Sequence, residues 1–215
     1  MPVQVKICGL NSEAAVAAAA AGGASHLGFV FYPPSPRAVD GPRAAALARG
    51  LPAGICKVGL FVDAGDEEIA AVLAAAPLDM LQLHGDETAR RVKDIRRRFG
   101  LPVMKAVRLA SAADVAAADQ YLGAADRLLF DAKPPPSMAG ALPGGNALRF
   151  DWSLIAGRSW SRPWMLSGGL DAGNLAAAVA ATGAQAVDVS SGVEDAPGRK
   201  SPGKIAAFLE LAASL

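Results

Sequence analysis

Short apolar runs alternate with longer, alanine-rich stretches along the whole chain. The short runs are Val3–Cys8, Leu27–Phe31, Lys57–Val62, Met80–Leu83, Val103–Val107, Leu128–Phe130, Trp164–Leu166 and Ala186–Val189. Their length and composition predict strands. Between them lie helix candidates at Ser12–Ala21, Pro42–Arg49, Glu67–Ala75, Glu87–Phe99, Ala112–Tyr121, Ala172–Ala181 and Pro202–Ala213. Several of these open on a capping or early-helix signal, as in Asn11-Ser12-Glu13, Gly41-Pro42, Asp66-Glu67 and Ser201-Pro202. Several stop at glycine: Gly22, Gly50, Gly100, Gly123 and Gly183.

Strict strand–helix alternation predicts a parallel sheet covered by helices. Most strands recur at intervals of roughly 22 to 25 residues, which suits eight βα units and favours a closed (β/α)8 TIM barrel over an open doubly wound sheet. The irregular stretch is Lys133–Gly145, rich in Pro, Gly and Ala, which reads as a long active-site loop after the sixth strand. A shortened sixth helix is expected from Asp151, and residues 1–215 read as one catalytic domain. In such barrels the chemistry sits on the loops after the carboxyl ends of the strands.

Composition narrows the partners. Hydrophobic residues make up 52% of the 215, enough for a sizeable core. The net charge of +1 offers no field for nucleic acid or an anionic membrane. The basic cluster Arg90–Arg98 is interleaved with Asp86, Glu87 and Asp94 and reads as a solvated helix face. No long uncharged apolar stretch suggests a membrane span, and the first residues do not resemble a secretory leader. Two cysteines, Cys8 and Cys56, and two histidines, His26 and His84, lack metal-binding spacing, so neither a metal site nor a disulfide framework is expected. A cytoplasmic setting fits that cysteine usage.

Candidate chemistry clusters at the strand ends. Lys6 and Cys8 share a strand face and should look into the barrel, where the ammonium would lower the thiol pKa. Asp131 closes the sixth strand after an apolar run; a partly desolvated carboxyl there suits a general acid, and a loop cap or a pair with Lys133 is the plainer alternative. Ser167-Gly168-Gly169-Leu170 and Ser190-Ser191-Gly192-Val193-Glu194 follow the last two strands, where backbone amides and hydroxyls can cradle a phosphate. Asp188 shares its face with Ser190 and could bind sugar hydroxyls or pair with Lys6. Arg37, on the proline-stiffened Tyr32–Arg37 loop, could take a carboxylate bidentately. Gln82 and His84 face inward, with His84 expected to line the pocket. His26, Cys56 and the three tryptophans from Trp152 to Trp164 read as structural.

In this order, Lys6-Ile7-Cys8-Gly9, Leu27–Phe31 with Ser35-Pro36-Arg37, Val58–Val62, Leu81–Glu87, Phe130-Asp131, Phe150-Asp151-Trp152, Leu166–Leu170 and Asp188–Glu194 resemble the phosphoribosylanthranilate isomerase family. The resemblance implies a small phosphoribosyl substrate, no cofactor, and an Amadori rearrangement in tryptophan biosynthesis; a monomer or homodimer is expected, and the sequence does not choose between them. It implies that Cys8 is the general base and Asp131 the general acid. Arg37 matches the arginine for the anthranilate carboxylate; Gly168, Gly169, Ser190 and Ser191 match the phosphate cradle; and Asp188 matches a residue near the sugar. One departure stands out: the family often carries Gly-Gly-Thr-Gly before its Phe-Asp-Trp, and here the run is Gly144-Gly145-Asn146-Ala147. A related histidine-pathway or dual-substrate sugar isomerase is the first alternative, although that family places a carboxylate where Cys8 stands. A non-catalytic phosphate-binding barrel is the second, but it would not need both Cys8 and Asp131.

Overall fold

A computed structural model describes residues 2–138 and 140–215. Eight parallel strands close into a barrel in chain order: β1 Gln4–Cys8, β2 His26–Val30, β3 Cys56–Phe61, β4 Met80–Leu83, β5 Val103–Leu109, β6 Arg127–Ala132, β7 Trp164–Leu166 and β8 Ala186–Val189. Around them run α1 Glu13–Ala21, α2 Gly41–Ala48, α3 Asp66–Ala75, α4 Ala89–Phe99, α5 Ala112–Ala117, α6 Leu175–Thr182 and α7 Pro202–Ala213. The predicted (β/α)8 barrel is the observed fold. The element after β6 is a single 3-10 turn, Trp152–Leu154, opened by the Asp151 carboxylate accepting from the Ser153 amide at 2.9 Å. A short hairpin after β8, β9 Glu194–Ala196 with β10 Arg199–Lys200, was not foreseen.

Local signals and tertiary demands share the credit for these boundaries. Helix α4 is the clearest local case: the Thr88 hydroxyl accepts from the Arg91 amide, and Gly100 ends the helix at φ 67°, a left-handed turn that glycine adopts without steric cost. Val92 and Ile95 are its buried stripe. Its arginines form the expected solvated face: Arg90, Arg96, Arg97 and Arg98 are exposed, with surface pairs from Arg91 and Arg98 to Asp66 and from Arg96 to Asp126. Glu87, expected to open this helix on its outer face, is turned inward and buried, 2.9 Å from Lys105 Nζ. Lys105 points out of β5 under the helices, and a buried ammonium needs that countercharge.

Strand alternation sorts the side chains into two cores. The outward set, including Ile7, Phe29, Phe61, Leu81, Phe130 and Val187, joins the helices in the larger core. Trp160 and Trp164 pack on Phe130 with centroids 4.6 and 5.6 Å away, the structural role expected of them. The inward set forms an apolar stack of Val58, Met104, Ala106, Leu129, Met165 and Ala186 that plugs the barrel. Val58, Met104, Leu129 and Met165 each contribute on the order of 1.5–3 kcal/mol by leaving water. Above the plug, toward the carboxyl ends, the interior turns polar with Lys6, Gln82 and Asp188 buried. That change of character is where the site begins.

Candidate active site

One pocket opens at the carboxyl ends of the strands and encloses about 730 Å³, solvent at its mouth included. Cys8, Arg37, His84, Asp131, Gly168, Gly169, Asp188, Ser190 and Ser191 all line it, as the sequence led us to expect. Gly192 stands behind them: a Cβ there would lie 1.9 Å from the Leu170 carbonyl oxygen, so only glycine lets the loops after β7 and β8 meet.

The floor is an ion pair. Lys6 and Asp188 are opposite partners in the β1–β8 ladder, and Lys6 Nζ donates to Asp188 Oδ1 at 2.7 Å. Ser167 Oγ donates to the other carboxylate oxygen at 3.1 Å. Gly28 makes room beside them, since a Cβ there would sit 3.0 Å from Lys6 Nζ and 3.2 Å from Cys8 Sγ. Burial works against the Lys6 charge, but Asp188 and Cys8 outweigh it and hold the ammonium above the ordinary lysine pKa. The effect on Cys8 corrects the sequence expectation. Burial pushes its thiol pKa up, and Lys6, its own charge answered by Asp188, offsets this only in part.

Three strands round the barrel from Cys8, past β8 and β7, stands Asp131. Its Oδ1 accepts from the Ala132 amide at 2.8 Å, and its Oδ2 lies 3.2 Å from His84 Nε2. Lys133 does not pair with it; that side chain reaches Asp114 instead, at 2.7 Å. His84 therefore does more than line the pocket, because it touches the candidate acid.

Arg37 is held from behind. Its Nε and Nη2 donate to Glu194 at 2.7 and 2.8 Å, and Nη2 also reaches the Gly145 carbonyl at 3.2 Å. The bidentate fork is thus spent inside the protein, and Nη1 is the guanidinium nitrogen that Glu194 does not hold. Glycine at position 9 lets the arginine stem cross the backbone, where a Cβ would lie 2.6 Å from Arg37 Cδ. Lys200, buried and unmarked by any sequence motif, donates to Glu194 at 2.7 Å and to the Ser190 carbonyl at 2.9 Å. Glu194 was visible in sequence only as the end of a Ser/Gly run.

Residues Leu142 to Leu148 of the loop after β6 form the roof. A Cβ on Gly144 would lie 2.8 Å from both Asp131 Oδ2 and His84 Nε2, so this glycine lets the backbone close onto the acid. Ala147, at the departure from the family's glycine pattern, holds φ 57°. Across the floor, Gly168 and Gly169 run at φ 93° and 59°, and their amides take no backbone carbonyl among the described residues. Consecutive free amides of this kind make an anion-binding concavity. Ser190 Oγ is already engaged, donating to the Cys8 carbonyl at 3.1 Å. Among the described residues, no group of three His, Cys, Asp or Glu side chains is placed to hold a metal ion.

A (β/α)8 barrel with a thiol, a carboxyl and free amides around one pocket at the carboxyl ends of its strands has the layout of a TIM-barrel enzyme. The family model described as N-(5'-phosphoribosyl)anthranilate (PRA) isomerase matches residues 5–211. An N-(5'-phosphoribosyl)anthranilate isomerase of Rhodospirillum centenum is 61% identical over 100% of both chains. One from Paramagnetospirillum magneticum is 56% identical, covering 99% of this chain and 98% of its own. The crystal structure of phosphoribosyl anthranilate isomerase from Thermotoga maritima superimposes with a TM-score of 0.88 at 36% identity, covering 99% of this chain and 100% of its own. A second isomerase structure, in complex with reduced 1-(o-carboxyphenylamino)-1-deoxyribulose 5-phosphate, gives 0.82 at 32% identity with the same coverage. This chain belongs to the N-(5'-phosphoribosyl)anthranilate isomerase family.

Proposed function

We propose that the chain converts N-(5-phosphoribosyl)anthranilate to 1-(2-carboxyphenylamino)-1-deoxyribulose 5-phosphate in tryptophan biosynthesis, with all of residues 1–215 serving as one catalytic domain. The observation that carries this is that Cys8 and Asp131 line one pocket from different strands in a chain that matches such isomerases over its length. Asp131 gives its proton to the ribose ring oxygen; the C1′–O bond breaks as the anilino nitrogen lone pair forms the C1′ iminium. The Cys8 thiolate then takes the C2′ proton, and the C–H electrons form an enolamine that tautomerises to the aminoketone. The raised thiol pKa keeps the thiolate scarce but makes it a stronger base once formed. The substrate nitrogen is the electron sink, so the steps need no cofactor.

Binding follows from the same walls. The Gly168 and Gly169 amides, with Ser190, Ser191 and Gly192 shaping the neighbouring loop, take the phosphate. Arg37 Nη1 meets the anthranilate carboxylate, Asp188 faces the sugar, and His84 contacts both Asp131 and the pocket. Among the described residues no helix is long and apolar enough to cross a membrane. Two free cysteines support a reducing, cytoplasmic setting. A surface whose exposed large hydrophobics are Met138 and Leu215, among the described residues, supports a monomer or a small homodimer.

The test is loss of phosphoribosylanthranilate fluorescence, with substrate made in situ from anthranilate and phosphoribosyl pyrophosphate. Wild type should clear the signal, and Cys8→Ser and Asp131→Asn should each lose on the order of 100-fold or more in kcat. No decay with folded wild type would refute the activity.

A further inference from the structure

We propose that Gln82 is a positioning residue for Asp131, acting through the His84 ring; this rests on the reading of Asp131 as the acid. Gln82 points into the barrel from β4, fully buried, two residues before His84 on the same face. Its Nε2 lies 2.9 Å from His84 Nδ1, while His84 Nε2 lies 3.2 Å from Asp131 Oδ2. An amide nitrogen only donates, so Nδ1 must accept. The neutral ring then carries its proton on Nε2 and aims it at Asp131. With the Ala132 amide already on Oδ1, the carboxylate left after proton delivery finds a donor waiting on each oxygen. A reversed amide would put the ring proton on Nδ1 and leave a bare nitrogen facing that carboxylate.

Gln82 is poorly suited to a purely structural role. Its Oε1 is buried without a hydrogen-bond partner among the described residues. An unsatisfied buried polar atom destabilises a protein, so an apolar side chain of similar size should serve the fold at least as well. The neighbours across the ladders at this level, Leu60 and Met104, are apolar. Among the described residues, the amide nitrogen's hydrogen-bond contact is with His84.

The test reads the His84 tautomer by long-range nitrogen–proton NMR and pairs it with the isomerase assay on Gln82→Leu and Asp131→Asn. The chain has two histidines, and His84→Asn assigns the signals. In wild type, His84 should be protonated on Nε2. Gln82→Leu should lose that preference, keep or raise the thermal midpoint, and lower kcat about tenfold, part of what general acid catalysis supplies, with KM little changed. Gln82→Met carries the same readouts should Gln82→Leu not fold. An Nδ1–H ring in wild type, a wild-type tautomer in the variant, or an unaltered kcat each overturns the proposal. Full activity in Asp131→Asn would instead remove the acid itself, and the positioning role with it.

Discussion

Lys6 and Asp188 face each other across the β1–β8 ladder inside the barrel, Nζ 2.7 Å from Oδ1, with almost none of either side chain exposed. Breaking such a pair from one side strands a buried charge, whereas replacing both partners by apolar groups need not destabilise. Lys6→Met should therefore lower unfolding free energy by about 3–5 kcal/mol. Adding Asp188→Leu should recover most of that without restoring activity, because the floor would then be apolar. Urea unfolding of the single and double variants decides this; a Lys6→Met protein as stable as wild type would mean the pair is not buried as described.

Glu194 holds Arg37 by two nitrogens and is itself braced by Lys200. Burial opposes the Glu194 charge, but the two cations outweigh it and keep the carboxyl below its usual pKa. Glu194→Gln should loosen Arg37 and raise KM on the order of tenfold, the size of one charge-assisted hydrogen bond, with kcat changed much less. Steady-state kinetics separates the two constants. A fall in kcat at constant KM would move Glu194 from substrate binding to the chemical step.

His26 sits at the amino end of β2, buried, 2.8 Å from the Ser25 hydroxyl. Burial, with help from Arg127, lowers its pKa to about 4. Above the unfolded value of about 6.5 both states are neutral, and His26 adds no pH dependence. As the pH falls from there toward 4, the unfolded chain takes up a proton that the folded one refuses, and stability is lost. The loss should reach about 2–3 kcal/mol near pH 4.5. Comparing urea midpoints of wild type and His26→Gln at pH 7 and 4.5 checks this: the variant should show a flatter acid limb, and parallel limbs would contradict the assignment.

Ala147 holds φ 57° in the roof of the pocket, where an L side chain is strained and the family often has glycine. Ala147→Gly relieves a left-handed penalty of roughly 1–2 kcal/mol, offset in part by the greater freedom of glycine in the unfolded chain. The thermal midpoint should rise by up to about 4 °C, and Ala147→Val should lower it. A lower midpoint in the glycine variant would show that the roof does not hold that backbone in solution.

Much of this site could be read from local periodicity. A period of two along a strand is a short-range rule, so parity alone turned Lys6, Cys8, Gln82, His84 and Asp188 toward the interior, and the structure agrees. Strand spacing likewise predicted the closed barrel, and the Gly/Ser runs after β7 and β8 lie at its mouth. Helix ends are less legible: Ser12 and Ser201 precede their helices without a side-chain cap bond, while α2 is capped by Asp40, one residue before the Gly41-Pro42 signal.

What the sequence by itself determined was the order and facing of elements, because propensity and alternation act over a few residues. Tertiary structure alone decided who meets whom. Arg37 is committed to Glu194 across 157 positions, and Lys200 arrives beside Ser190 only because the hairpin after β8 folds back. Glu87 left its helix to neutralise Lys105. The pKa of Cys8 went the other way from the one that its neighbour Lys6 suggested. Desolvation and long-range charge depend on everything packed around a group, and that is set only when the barrel closes.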